Sequence, residues 1–362
     1  MIPHEHGLRI HVINVGHGDA ILVELPDRDG HMRFGMVDAG ERGRKTRKAR
    51  DYLKAFVDWR MEGASPEGSF EFFCLSHPHD DHFTGVMPVL EWAGSQGMHP
   101  REFWDSGFRS TSVGYLTIMD YICEHDDIRF MRVTSGTEFH YGPVEVMVLA
   151  PSVDLRNRFD TYGVEENDAS IVLRVRLGEG SAILAGDAEY HSWGKITEEF
   201  PRTSKVTYPK AESKTAEQLI KDIKGDKNPN LFLQSKISQL SCNLLKVAHH
   251  GSMNGTSFQY LEKMSPQHYA ITCAKDYTPY GSKWQGSFPH PLTRVAIAQA
   301  MGRYDKIASD VPSLENWPEV GMCYDRGSMV FTMGPRGVLS RHDLGEGRKD
   351  PVTPDMLDRV LG

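Results

Sequence analysis

The chain has 362 residues, 39% of them hydrophobic and 25% charged, and its formal net charge is −8 at pH 7. This composition is typical of a soluble globular protein, and the length allows one large domain or two. It argues against a membrane-spanning protein, because no apolar run approaches the roughly 18 residues that a bilayer requires. It also disfavours broad electrostatic capture of nucleic acid, which needs a basic surface.

Cysteine usage and the first residues of the chain predict a cytoplasmic protein. The five cysteines are scattered and show no CxxC spacing, which favours buried, reduced thiols. Residues 1–6 lack the basic and apolar regions of a secretory signal. We therefore expect a cytoplasmic location and no membrane partner.

Apolar periodicity predicts strands and helices along the whole chain. The predicted strands lie at about residues 8–15, 20–25, 33–38, 70–76, 103–104, 137–150, 169–177, 181–186, 243–248, 268–274, 328–332 and 338–341. The predicted helices lie at about residues 43–60, 113–125 and 292–302, with another that begins near Thr84. Strands and helices in two such runs predict an α/β (α+β) protein built as a four-layer αββα sandwich.

The domain organisation is expected to be simple. We predict a single domain over residues 1–345 and a C-terminal tail at 346–362. Residues 191–240 are polar and rich in lysine, and three prolines interrupt their weak helical patterns. We interpret this segment as an insertion or lid that flanks the functional site, and not as a separate domain.

Residues 77–82 read His-Pro-His-Asp-Asp-His and follow an apolar strand. Imidazole nitrogens and carboxylate oxygens suit Zn²⁺, and also Mn²⁺ or Fe²⁺. His77 and His79 project to one side of an extended strand end, and the chain must then turn so that Asp81 and His82 face the same pocket. Two metals could be served, one by each pair. The alternative is a polar surface loop that is merely rich in histidine.

The spacing H-x-H-x-D-H resembles the signature of the metallo-β-lactamase-fold hydrolases. The closest resemblance is to the branch that contains the hydrolase domain of the DNA-uptake protein ComEC. Six motifs occur in the family's order, at residues 15–20 (VGHGDA), 36–40 (MVDAG), 77–82 (HPHDDH), 184–187 (LAGD), 245–252 (LKVAHHGS) and 290–291 (HP). The resemblance implies a metallo-β-lactamase sandwich with two divalent metal ions. We expect zinc, with manganese or iron as alternatives.

The resemblance also implies further metal ligands. Asp187 would bridge both metals, and a shared carboxylate screens the repulsion between two dications; alternatively, it only caps the next helix. One of the adjacent His249 and His250 would bind metal, while the other orients it or donates a proton to the leaving group, and both assignments stay open. His290 would complete the second metal.

For two more motif residues, a purely structural role is the alternative to a role near the metals. By resemblance, Asp38 would brace the metal loop through hydrogen bonds, and Asp19 would lie near the metals. Turn chemistry alone also explains aspartate at both places. His17 stands where glutamine is common in the family, and it could simply fill space.

A run of basic residues after Gly40 is the one feature that suggests an anionic substrate. Its central members, Arg44, Lys45 and Arg47, would form a phosphate-binding rim beside the metal pocket, so that a local basic patch steers the substrate. The alternative is the solvated face of a helix.

The expected chemistry is hydrolysis. Two dications lower the pKa of a shared water toward roughly 7, which makes hydroxide available at neutral pH. Asp81 would orient that nucleophile, and Asp81 and His250 are the predicted catalytic residues. We expect a phosphodiesterase or nuclease acting on DNA or nucleotides. The alternatives are a small-molecule hydrolase, phosphorylcholine-esterase-like or lactonase-like, and a metal-stabilised binding module without turnover.

Overall fold

The computed structural model describes residues 7–41, 48–61, 68–159, 164–200, 240–275, 287–304, 311–347 and 349–362. Within these residues the strands form two mixed sheets, one of eight strands and one of seven. Among them, no helix is long and apolar enough to cross a membrane.

Fifteen strands are found in the described part of the chain. They are β1 (Leu8–Val12), β2 (Ala20–Arg28), β3 (His31–Ala39), β4 (Gly68–Leu75), β5 (Glu102–Asp105), β6 (Arg129–Arg132), β7 (Glu138–Tyr141), β8 (Val144–Ala150), β9 (Val172–Leu177), β10 (Gly180–Leu184), β11 (Leu244–Lys246), β12 (His268–Ile271), β13 (Val320–Met322), β14 (Met329–Met333) and β15 (Leu339–Asp343). The first sheet has the order β15-β14-β1-β2-β3-β4-β5-β6, and the second has the order β13-β12-β11-β10-β9-β8-β7.

The helices flank these sheets. They are α1 (Lys48–Met61), α2 (Asp80–Phe83), α3 (Val86–Ser95), α4 (Val113–Glu124), α5 (Val153–Arg156), α6 (Tyr190–Glu199), α7 (Phe258–Met264), α8 (Pro291–Ala300), α9 (Cys323–Arg326) and α10 (Pro354–Leu361).

Three separate apolar clusters show that the molecule has four layers. The first lies between the first sheet and helices α1, α3, α4 and α10. The second lies between the two sheets, where strands of both contribute. The third lies between the second sheet and helices α6, α7 and α8. Helix, sheet, sheet and helix follow one another, so the predicted αββα architecture is confirmed.

The strands that lead to the site are buried on both faces, as their sequences require. Residues 70–75 of β4 are entirely buried, because one face meets the first helical layer and the other meets the second sheet. Such strands read as continuous apolar runs rather than alternating ones. By contrast, Arg174 and Arg176 alternate with buried residues in β9.

Parallel pairing brings the motif residues to one rim. Strands β3 and β4 are parallel in the first sheet, and β10, β11 and β12 are parallel in the second. The carboxyl ends of parallel strands meet at the same edge, which is where ligands bind in open α/β sheets. The amide of Ile171, beside this edge of the second sheet, donates to the carbonyl of Ser76, beside that of the first, at 2.9 Å.

The structure shows a packed helix in each of two segments that the sequence analysis describes as an insertion and a C-terminal tail. Residues 190–199, which overlap the start of the expected insertion, form α6, whose Trp193 and Ile196 belong to the outer apolar cluster. The rest of the insertion, 201–239, lies outside the described residues. The expected tail contains α10, whose Leu357 and Leu361 are buried against α1. Two leucines four residues apart give this helix an apolar stripe, so it joins the domain.

Candidate metal centre

The histidine-rich segment turns as soon as β4 ends. His77 is fully buried, and His79 has an extended backbone before α2 begins at Asp80. The single turn of α2 carries Asp81 and His82 toward the rim where His77 lies. The turn that the sequence required is therefore one turn of helix.

Asp187 lies at the centre of the site, with its two carboxylate oxygens facing different imidazoles. Its Oδ1 lies 3.2 Å from His82 Nε2. Its Oδ2 lies 3.5 Å from His250 Nε2 and 3.7 Å from His249 Nε2. Asp187 follows β10, all of whose residues are buried, so its backbone is firmly placed. A carboxylate in this position can serve two cations at once.

One group of potential ligands consists of His77, His82 and Asp187, whose ligand atoms lie within 4.8 Å of one another. All three residues are buried. The hydroxyls of Ser76 and Ser170 lie 3.1 and 3.2 Å from His77 Nδ1, so one edge of its ring is held by the protein. This group offers two nitrogens and one oxygen, which suits Zn²⁺.

A second group consists of His17, Asp81 and His250, again within 4.8 Å of one another. Asp81 Oδ2 lies 3.4 Å from His250 Nε2 and 3.8 Å from His17 Nε2. The two groups meet at Asp187. Their composition differs from the pairs expected from sequence, because His82 lies with His77 and not with Asp81.

Asp38 braces the first group. Its carboxylate accepts hydrogen bonds from the Ser76 amide and hydroxyl, both at 2.7 Å, and its Oδ2 lies 2.8 Å from His82 Nδ1. When His82 donates through Nδ1, its Nε2 is left for a metal, as in carboxylate–histidine–metal arrangements. Asp38 also has a positive φ of 57°, a conformation that aspartate tolerates better than most residues.

A buried lysine joins the two sheets beneath the site. Lys246 is fully buried, and its ammonium contacts the Asp19 carboxylate. The same ammonium donates to the Gly186 carbonyl at 3.0 Å and lies 4.0 Å from Asp187 Oδ1. Asp19 therefore lies beside the candidate metal ligands, as expected, with a cation of the protein on one side.

His249 and His250 face different environments, and both have positive φ angles, of 46° and 52°. His250 is fully buried, and its Nδ1 lies 2.8 Å from the Thr272 carbonyl, which leaves Nε2 toward Asp81 and Asp187. The side chain of His249 is 22% exposed, and its Nδ1 lies 2.8 Å from Glu189 Oε1. Strained backbone at a non-glycine residue is often found at functional sites.

Besides His249, two predicted ligands, His79 and His290, lie beside these groups and not within them. His79 Nδ1 lies 3.0 Å from His77 Nε2, and His79 Nε2 lies 2.9 Å from Glu166 Oε2. His290 is the N-cap of α8, where its Nδ1 accepts a hydrogen bond from the Leu292 amide at 3.1 Å. Both remain candidate ligands whose metal binding is a prediction.

A cavity of about 390 Å³ opens next to His249. Its lining residues among those described are Glu165, Asn167, Glu189, His249, Ser252, Met253, Asn254, Ser287, Phe288 and His290. Two carboxylates and two imidazoles in this wall give it a polar character. Its volume is at the lower end of the range for small-molecule sites.

Burial and neighbouring charges shift the pKa values of the site histidines in different directions. Burial lowers the pKa of His77 well below its usual value, which favours the neutral form that binds metal. Burial also opposes charge on His82 and His250, but in each case two carboxylates together outweigh it, and the pKa of each rises well above its usual value; these carboxylates are Asp187 with Asp38 for His82, and Asp187 with Asp19 for His250. Burial would raise the pKa of Asp187, yet these imidazoles hold it well below its usual value.

The residues present fit a pair of divalent cations. Within the described residues, His82 Nε2, His250 Nε2 and Asp187 Oδ1 are buried and make no hydrogen bond of good geometry. Buried polar atoms normally have partners, so several unsatisfied ligand atoms converging on one space point to a bound cation. Nitrogen and carboxylate oxygen are the donors that Zn²⁺, Mn²⁺ and Fe²⁺ accept.

Comparison with known proteins finds similarity in solved structures only. Neither protein-family models nor curated proteins match the chain. The structure of the metallo-β-lactamase fold protein YhfI from Bacillus subtilis is 10% identical, covers 93% of this chain and 100% of its own, and has a TM-score of 0.44. The diiron β-hydroxylase CmlA from Streptomyces venezuelae is 14% identical over 75% of this chain and 45% of its own, with a TM-score of 0.34. A diphosphatase from the PhnP family is 12% identical over 73% of this chain and 85% of its own, with a TM-score of 0.36. No comparison singles out the ComEC-like branch, which stays a prediction.

Sequence analysis identified most of the residues that meet at the rim, and it missed four. For His17 the sequence indicates only that the residue could fill space, whereas the structure places it in the group with Asp81 and His250. Lys246 carried a signal, because a lysine inside an apolar strand requires a buried partner. Glu166 and Glu189, which contact His79 and His249, lie in segments without a distinctive pattern.

The predicted phosphate-binding rim lies outside the described residues. Arg44, Lys45 and Arg47 all belong to the segment 42–47, which separates β3 from α1. Their role as substrate-binding residues therefore stays a prediction.

Proposed function

We propose that this protein is a dinuclear metal-dependent hydrolase that acts on phosphodiesters. The observation that carries the proposal is the placement of Asp187. Its two oxygens face two groups of buried imidazole and carboxylate ligands, one with His77 and His82 and the other with Asp81 and His250. Ligands on both sides of one carboxylate are the arrangement expected of a two-metal hydrolase.

Two divalent ions in these groups would ionise a water molecule near neutral pH and offset negative charge on the phosphate. The protein supplies orientation. Asp81 is 28% exposed at its side chain and faces the open side of the centre, where it can hold the attacking water. Asp38 and the serine hydroxyls hold His82 and His77, so the ligands need little reorganisation.

We assign different roles to the two adjacent histidines. His250 is buried with Nδ1 against the Thr272 carbonyl, which suits a metal ligand. His249 is partly exposed beside the cavity, and Glu189 orients its ring. A histidine oriented by a carboxylate next to the substrate space can protonate a leaving group.

A small-molecule hydrolase is the second candidate, and the cavity beside His249 favours it. The cavity's volume of about 390 Å³ suits a compact ligand, and Glu165 and Glu189 in its wall would repel a polyanion. The net charge of −8 also disfavours a polyanionic substrate. Such an enzyme would use the same metal centre on a small ester or lactone.

The test is hydrolysis by full-length protein loaded with Zn²⁺ or Mn²⁺. Single-stranded DNA, duplex DNA, RNA, bis-p-nitrophenyl phosphate and a panel of small esters and lactones serve as substrates. We expect phosphodiester cleavage that Asp187→Asn lowers by about 100-fold or more, since metal-supplied charge stabilisation contributes several kcal/mol. Asp29→Asn is the matched control, because Asp29 is exposed on a turn far along β2.

The outcomes separate the candidates. Cleavage of small esters or lactones without phosphodiester cleavage would replace the proposal by the second candidate. Two bound metals without turnover of any substrate would indicate a metal-stabilised binding module. Equal activity of Asp187→Asn and Asp29→Asn would refute catalysis at this centre.

A further inference from the structure

We propose that His17 is a metal ligand of the group formed by Asp81 and His250. The inference rests on the proposed function, because it assumes that this group holds a cation. It adds a third side chain, from a loop of the first sheet, to Asp81 and His250, beside which Asp187 Oδ2 lies.

The distances fit shared coordination better than direct hydrogen bonding. His17 Nε2 lies 3.8 Å from Asp81 Oδ2, and His250 Nε2 lies 3.4 Å from the same oxygen. Two atoms that bind one Zn²⁺ at about 2.0–2.1 Å in tetrahedral geometry lie about 3.3–3.4 Å apart. The ligand atoms of His17, Asp81 and His250 all lie within 4.8 Å of one another, so small side-chain adjustments complete the set.

The backbone of the loop holds His17 at this distance. The Asp19 amide donates to the Asp81 carbonyl at 3.0 Å, and the Gly40 amide donates to the Asp19 carbonyl at 2.6 Å. Gly18, at φ +152°, packs so closely that a Cβ there would lie 2.8 Å from the Asp81 carbonyl oxygen. Any side chain at position 17 is therefore carried next to Asp81 by main-chain contacts.

The surroundings of His17 are those of a ligand. The residue is 4% exposed, its ring centroid lies 4.4 Å from that of His250, and Phe288 packs edge-on at 4.8 Å.

Cobalt(II) binding to the full-length protein tests the inference without using activity. Titration calorimetry gives the number and affinity of the sites, and visible absorption reports the ligand field of each. We expect two sites in the parent protein. We expect His17→Gln to weaken one of them by about tenfold or more and to change its spectrum, and His140→Gln, on the exposed face of β7, to leave both unchanged.

A second variant keeps the test decisive if His17→Gln folds poorly. His17→Cys places a thiol where the imidazole was, and a thiolate that reaches cobalt gives a charge-transfer band. Such a band, at one equivalent of the two bound ions, supports the inference. Two unchanged sites in His17→Gln, or a folded His17→Cys that binds cobalt without the band, would overturn it while leaving the proposed function intact. Failure of the parent protein to bind two ions would instead overturn the proposed function, and this inference with it.

Discussion

Single residues set the charge balance of the centre, and Lys246 is the clearest case. Four aspartates, Asp19, Asp38, Asp81 and Asp187, lie around a few buried imidazoles. The Lys246 ammonium contacts Asp19 and lies near Asp187, with no exposure to water. Taking away one partner of a buried ion pair leaves an uncompensated charge, which is costly.

We predict that Lys246→Met destabilises the metal-free protein by about 3 kcal/mol. The loss should be smaller with saturating Zn²⁺, because bound cations offset part of the exposed carboxylate charge and stabilise the folded state by mass action. Urea unfolding with chelator and with zinc measures both effects. Lys195→Met in α6 is the control, because Lys195 pairs only with the exposed carboxylates of Asp154 and Glu198, and such surface pairs contribute about 0–1 kcal/mol. Equal stability of the two variants in chelator would contradict this account of Lys246.

Asp38 acts through His82. We predict that Asp38→Asn weakens metal binding by about 10- to 100-fold, because the amide holds the imidazole less firmly and in a less basic form. Asparagine tolerates the positive φ of 57°, so the fold should persist. Asp29→Asn is the matched control. Asp29 also has a positive φ, of 55°, but it lies in the turn between β2 and β3, away from the centre. Competition with a coloured chelator measures both affinities, and equal values would remove Asp38 from the site.

Individual elements extend the domain beyond the six motifs. Helix α10 packs on α1, with Leu357 fully buried and Arg359 on the exposed face. We predict that Leu357→Ala lowers the free energy of unfolding by about 3 kcal/mol, the usual cost of emptying a leucine site. Arg359→Ala should change it by less than about 0.5 kcal/mol. Chemical denaturation compares them, and similar values would mean that α10 is a peripheral tail after all.

A buried ion network ties the first two strands to α1. Glu24 of β2 contacts Arg9 of β1, His11 and Arg60 of α1, and all four residues are buried. Burial alone would raise the pKa of Glu24, but the hydrogen bond with His11 and the charges of Arg9 and Arg60 hold it well below its usual value. The carboxylate therefore contributes stability wherever it is ionised.

The sign of the pH effect follows from that lowered pKa. Glu24 contributes fully above the unfolded pKa of about 4.3, and the contribution is lost as pH falls from there toward the folded pKa. We predict that Glu24→Gln costs about 3 kcal/mol at pH 7 and much less near pH 3. Unfolding free energies of both proteins from pH 3 to 7 test this. A difference that does not change with pH would show that the charge of Glu24 is not what stabilises the network.

At the scale of the whole molecule, the motifs predicted which strand ends meet. Asp38 lies near the end of β3, and His77, Asp187 and His250 follow apolar strands; the ends of parallel strands share one edge of a sheet. The two sheets then face each other across a common core. Local patterns and fold topology point to the same arrangement, which is why the αββα architecture was accessible from sequence.

The features that the sequence could not predict depend on the exact rotation of short helices and on contacts between segments that are far apart in the chain. The single turn of α2 directs His82 toward His77 and Asp187, and the side that a residue faces depends on the exact rotation of that turn. The apolar stripe of α10, with Leu357 and Leu361, is visible in the sequence, but a stripe does not say which part of the fold it packs against. The place of His17 depends on main-chain contacts between loops far apart in the chain.

The most direct test of the central claim is anomalous diffraction at the zinc edge from crystals of the full-length protein grown with Zn²⁺. We predict two peaks about 3.5–4 Å apart on either side of the Asp187 carboxylate, one near His77 and His82 and the other near Asp81 and His250. No peak within the centre, or a single peak that Asp187 does not contact, would contradict the account.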